Sequence, residues 1–120
     1  MKPVNRLMKR NSERYRCLNR ALENYPHECR RLARLKDAAD RDPDNTGLKT
    51  RINSLEVRLQ ELSESFRILN GEEMRLLYLH YECGMSYEYM ERILPYSRRT
   101  IHYHIQRILK KIMKAYPDII

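Results

Sequence analysis

The chain has 120 residues, 24 Lys plus Arg against 16 Asp plus Glu, and a net charge of +8, which favours a polyanionic partner. Its 14.6 kDa supports one small domain, or a helical arm plus a small domain, with a modest core. Three glycines, five prolines and no alternating β-branched runs argue for an all-α protein. No segment approaches the ~20 apolar residues of a membrane span.

Residues 1–41 hold twelve basic and five acidic residues. Arg6, Lys9, Arg10, Arg14, Arg16, Arg20, Arg30, Arg31 and Arg34 recur between apolar positions. Such an excess is large for a merely solvated face, and it makes this arm a candidate second contact with DNA phosphate or with RNA. Two seven-residue recurrences run through it: Met8, Tyr15, Leu22, Cys29, and Leu18, Tyr25, Leu32, Ala39. Both pass Pro26, where an interior proline costs ~3 kcal/mol and removes a hydrogen bond, so a kink or break is expected near Asn24 to Pro26.

Asp42-Pro43-Asp44-Asn45-Thr46-Gly47 reads as the clearest linker. Beyond it Leu48, Ile52, Leu55, Leu59, Leu62, Phe66 and Leu69 alternate spacings of four and three, a strict heptad seam. A narrow seam wants a partner helix. Three arrangements satisfy it: residues 3–39 folded back antiparallel as a helical hairpin, a homodimer through residues 48–69, or a core stripe in a globular bundle. The expected organisation is a helical hairpin or coiled-coil arm over 1–69 followed by a second unit over 70–120.

That second unit has its own start and stop signals. Asn70-Gly71-Glu72-Glu73 offers a cap and acidic first turn for a helix with Met74, Leu77, Tyr78 and Tyr81 on one face, ending at Cys83-Gly84. Ser86 caps a second helix, Tyr87 to Leu94, with Met90, Ile93 and Leu94 facing inward. Pro95-Tyr96 forms the turn. Ser97 caps a third, longer helix with Ile101, Ile105, Ile108 or Leu109, and Ile112 on its buried stripe, bounded by Pro117. Charge divides along the same lines: residues 97–120 carry six basic and one acidic residue, residues 72–96 two basic and five acidic. The third helix is the positive element, as a phosphate-facing helix requires.

The pattern of Leu77 to Tyr81, Ser86-Tyr87-Glu88, Ser97-Arg98-Arg99-Thr100-Ile101 and Leu109-Lys110-Lys111-Ile112 resembles region 4 of the sigma-70 family and the sigma-like domains of phage transcriptional regulators of the ArpU and RinA kind. The resemblance covers roughly 45 of the 120 residues. It implies a helix-turn-helix whose third helix presents Arg98, Arg99, His102, Tyr103 and Gln106 to base edges and phosphates, with Ser97, Thr100, Arg107 and Lys110 completing the DNA-binding set. Two positions depart from the family: Glu91 stands where a small residue is usual, and Pro95 where glycine is. A glutamate at 91 must turn outward or pair with a cation on the third helix.

The resemblance implies a sequence-specific DNA-binding protein, a transcriptional regulator of phage or prophage origin, with double-stranded DNA as partner and RNA polymerase as a second candidate. Two other classes share its features. A small terminase subunit also joins a helix-turn-helix to a coiled coil, and a protein-interaction adaptor would use the acidic first two helices of the unit.

The basic start Met1-Lys2-Pro3 is followed by no apolar stretch, so a cytoplasmic protein is expected. Cys17, Cys29 and Cys83 are odd in number and lack CxxC spacing, which points to reduced thiols. His27 with Cys29 and His80 with Cys83 are the only nearby soft-ligand pairs, a weak basis for zinc. His102 and His104 leave a helix on different sides. No nucleophile elbow or phosphate-cradling glycine loop is present, so neither an enzyme, a cofactor nor a metal is expected.

Overall fold

The computed structural model describes residues 3–119, with side chains from Asn11 onward. Its elements are all helical: α1 (Pro3–Arg41), α2 (Thr46–Ser65), a 3-10 turn (Phe66–Ile68), α3 (Gly71–Leu77), a π-helical turn (Tyr78–Glu82), α4 (Tyr87–Ile93) and α5 (Arg98–Ala115). No described helix is long and apolar enough to cross a membrane.

α1 runs unbroken for 39 residues with Pro26 inside it, so of the kink or break expected there the break does not occur. Packing explains the difference. The Pro26 ring is buried, and Leu22, Tyr25, Pro26, Phe66 and Leu77 gather round one small apolar cavity. Tyr25 meets Phe66 edge to face, with ring centroids 5.6 Å apart. Burial of this kind offsets one lost backbone hydrogen bond.

The linker is shorter than its composition suggested. Asn45 caps α2, its side chain accepting from the Leu48 N–H at 3.0 Å, so Thr46 and Gly47 already form the first turn. Ile52, Leu55, Leu59 and Leu62 of the heptad seam are buried, and α2 lies against α1 of the same chain. Lys36 and Glu56 pair across the two helices at 2.9 Å. A homodimer through residues 48–69 would compete with α1 for this surface.

One core joins the two ends of the sequence. Leu18 and Leu22 of α1 and Leu62 of α2 pack with Leu76, Leu77, Met90, Leu94, Ile101, Ile105, Ile108, Leu109 and Ile112. The apolar stripe expected on α5 is buried as a whole, Ile108 and Leu109 both contributing. Beyond Leu22 and Leu62 the α1–α2 pair projects outward. The radius of gyration is accordingly 17.3 Å, against about 14 Å for a compact chain of this length.

Two inward faces differ from expectation. Met74 and Tyr78 are exposed, while Leu76 and Leu77 are buried. Leu77 and Tyr81 face inward as expected, but α3 lasts only seven residues before the π-helical turn changes the helical phase and leaves Tyr78 outside. The Tyr81 hydroxyl donates to Asn19 Oδ1 at 2.6 Å, tying this turn to α1. Gly84, with φ 67°, supplies the left-handed residue that reverses the chain toward α4. Ile93, expected inside, is 46% exposed. α4 stops there because Leu94, the residue before Pro95, takes an extended conformation and swings into the core in its place.

Candidate nucleic-acid interface

Four caps set the geometry of the carboxy-terminal helices. Asn70 and Glu73 form a reciprocal capping box on α3, each side chain accepting a backbone N–H at 2.9 Å. The Ser86 hydroxyl accepts from the Tyr89 N–H at 3.1 Å and starts α4. Ser97 Oγ accepts from the Thr100 N–H at 3.2 Å and starts α5, while its own hydroxyl donates to Thr100 Oγ1. The fourth comes from a neighbouring helix. Glu91 of α4 accepts the Arg98 N–H at 2.6 Å and lies 3.9 Å from the Arg98 guanidinium. The residue that departs from the sigma pattern thus turns outward and closes the amino terminus of α5, where a negative charge also meets the positive end of the helix dipole.

The acids of α3 brace α5 and the turn before it as well. Glu73 pairs with Lys111 at 2.9 Å, and Glu72 accepts from the Tyr96 hydroxyl at 3.1 Å. Desolvation acts to raise the Glu73 carboxyl, but the Asn70 amide and Lys111 outweigh it and hold the group below the usual glutamate range. Behind α4, His80 stacks on Tyr87 at 4.5 Å, and its Nδ1 lies 2.7 Å from the Met85 carbonyl oxygen. Burial, then Tyr15 and Glu23, push the Tyr87 hydroxyl up to about 12, so it stays protonated at neutral pH. His102 also lies against Tyr87, tilted by 39° with centroids 5.2 Å apart.

What remains outward on α5 is a basic stripe. Arg99, Tyr103, Gln106 and Lys110 follow spacings of four, three and four, which at 3.6 residues per turn keeps them on one face. The same periodicity places them opposite the buried Ile101, Ile105, Ile108 and Ile112. Tyr103 is 56% exposed, and the Arg107 guanidinium lies 5.8 Å from the centre of its ring. Arg98, Arg99, His102, Arg107 and Lys110 are exposed, and Gln106 is half-buried. Ser97 and Thr100 are the exceptions in the expected set, since their hydroxyls are committed to the cap. His104 packs beside Tyr96 at 5.4 Å. Among the described residues no three of His, Cys, Asp and Glu gather as a metal site.

The sequence reading missed what lies at the other end of α5. The Arg14 guanidinium of α1 donates to the Pro117 carbonyl at 2.8 Å and to the Met113 carbonyl at 3.3 Å, a cationic cap on the carboxy terminus of the helix. Lys114, one turn beyond Lys110, extends the basic stripe to this point. The spacing alone could have flagged Lys114, whereas the Arg14 contact bridges 99 positions and has no local signature. No family model, curated protein or solved structure matches the chain.

Proposed function

We propose that α3, α4 and α5 form a sigma-region-4-like helix-turn-helix, carried on a hairpin of α1 and α2, and that the protein is a sequence-specific transcriptional regulator of phage or prophage origin. The stripe of Arg99, Tyr103 and Lys110, all exposed, with the half-buried Gln106 between them carries this reading. It lies on a helix whose opposite face is buried and whose amino terminus is fixed by Ser97 and Glu91. Side chains on the first turns of a helix held in this way reach base edges in the major groove, while lysines further along meet phosphate. The adaptor alternative draws on the acids of α3 and α4, but Glu73 and Glu91 are engaged with α5 and Glu72 with Tyr96 in the turn before it.

Fluorescence anisotropy of duplex promoter DNA at several salt concentrations tests the reading. Four or five neutralised phosphates give a slope of log affinity against log salt of about −4, and Arg98→Ala/Arg99→Ala should abolish the tight component. Weak, salt-insensitive binding by the unaltered protein would return the adaptor to first place.

Glu91 gives a second test in which stability and binding move in opposite directions. Glu91→Ala removes a helix cap worth about 1 kcal/mol, and it also removes a negative charge beside the groove-facing end of α5. Thermal unfolding should show the loss of stability, while affinity for duplex DNA at low salt should rise. A fall in both would mean that Glu91 acts on binding only by holding α5 in place.

A further inference from the structure

We propose that the cleft between the start of α1 and the end of α5 binds the sugar-phosphate backbone of the duplex, so that α1 is a second DNA-contacting element. The proposal rests on the DNA-binding reading of α5 and extends it to a part of the chain far away in sequence.

The cleft has a volume of about 460 Å³, with Asn11, Ser12 and Arg14 on one wall and Gln106, Lys110 and Lys114 on the other. Its lining holds three cations and no carboxylate. A groove lined by Arg31, Arg51 and Arg58 shares that balance, but there Arg31 pairs with Glu28 at 3.5 Å, as Lys36, Arg98 and Lys111 each lie beside a glutamate elsewhere. Among the described residues, neither Lys110 nor Lys114 has an acidic partner within 4.0 Å. The sequence ahead of the cleft adds Lys2, Arg6, Lys9 and Arg10, with no acid before Glu13. An uncompensated concave cluster of cations raises the local concentration of an anion.

The chemistry of the lining fits phosphodiester oxygens. Lys, Arg, Ser, Asn and Gln are the side chains that contact DNA phosphates, the cations by charge and the others as neutral donors. The walls are also set in advance. Arg14 spends two hydrogen bonds on the Met113 and Pro117 carbonyls, which fixes α1 against the end of α5 before any ligand arrives.

Position along α5 supplies the last step. Lys110 stands eleven residues beyond Arg99, about 17 Å along the helix axis. The major groove is about 12 Å wide. For a helix that enters the groove by its amino terminus with Arg99 at the base edges, Lys110 and Lys114 stand outside it, toward the strand that borders it. The cleft opens there.

Titrations of the full chain against its preferred duplex and a random duplex, each across a range of salt, test the site. Lys110→Gln/Lys114→Gln should weaken both duplexes by the same factor and reduce the salt slope by about 1.8, two phosphate contacts' worth. Ser12→Glu, an exposed change on the opposite wall, should weaken both in the same sequence-independent way. Unaltered thermal unfolding of each variant shows that the fold is intact. If the lysine pair matters and Ser12→Glu does not, the lysines act without α1 and the cleft is overturned. If Arg99→Ala weakens binding to the preferred duplex while neither cleft variant changes it, the cleft falls and the recognition helix stands. If the unaltered protein binds no duplex at all, both fall together.

Discussion

Arg99→Ala is expected to weaken binding to the preferred duplex by about 1 to 3 kcal/mol and to erase a similar amount of discrimination against other sequences. The size follows from what the side chain does in the free protein. Arg99 is exposed and, among the described residues, makes no ion pair, so its removal leaves no buried group stranded. Loss of affinity then reports the DNA contact alone. Arg98 stands differently. Its backbone N–H is held by Glu91, and its guanidinium is 3.9 Å from the same carboxylate, so part of its charge is already compensated. Arg98→Ala should therefore cost less than Arg99→Ala. The measurement is anisotropy on the preferred and a scrambled duplex, with circular dichroism to confirm helix content. Equal losses on both duplexes would make Arg99 a phosphate contact, and no loss on either would show that the reading end of α5 lies elsewhere.

The features that support this prediction differ in how far the sequence revealed them. Asn70, Ser86 and Ser97 were legible as helix starts because a short polar side chain before an apolar periodic run has one efficient use, which is to accept the amide two or three residues on. The buried stripe of α5 was legible for a similar reason, since Ile101, Ile105, Ile108 and Ile112 repeat at helical spacing. The face of α3 was legible only in part. Leu77 and Tyr81 face inward as the spacing says, but a periodicity argument assumes one turn geometry throughout, and with a π-helical turn after Leu77 the expected Tyr78 lies outside. Pro26 suggested a break that does not occur, for a different reason. Its local cost is real, but burial beside Leu22, Tyr25 and Phe66 decides the outcome, and burial depends on residues 40 positions away. Arg14 shows the same limit at the candidate site. In the sequence it is one arginine among many in a basic arm, and only its contact with the far end of α5 distinguishes it. Nor could the seam choose its partner, because heptad spacing is satisfied equally by α1 and by a second copy.

Leu18→Ala is the other change with a large expected effect, and it tests whether the arm and the carboxy-terminal helices are separable. Leu18 is 0% exposed and shares a core with Ile105, Leu109 and Ile112. Truncating a fully buried leucine costs about 2 to 5 kcal/mol, from lost transfer energy and the cavity left behind. A domain of this size has only about 5 to 15 kcal/mol in total. Because Leu18 belongs to α1 while most of its core lies in α3 to α5, the loss should fall on both parts at once. Urea unfolding followed by circular dichroism should give one transition at a lower midpoint with an unchanged slope. Amide exchange should accelerate together at Leu55 in α2 and at Ile105 in α5. Protection that persists at Ile105 while it is lost at Leu55 would mean that α3 to α5 hold together without the arm. Concerted loss has a consequence for DNA binding. The stripe on α5 would then depend on a leucine 81 positions before Arg99, since the helix presents Arg99, Tyr103, Gln106 and Lys110 in register only while its opposite face is filled. Leu18→Ala should accordingly bind duplex normally well below its unfolding midpoint and lose binding in step with helix content as that midpoint is approached.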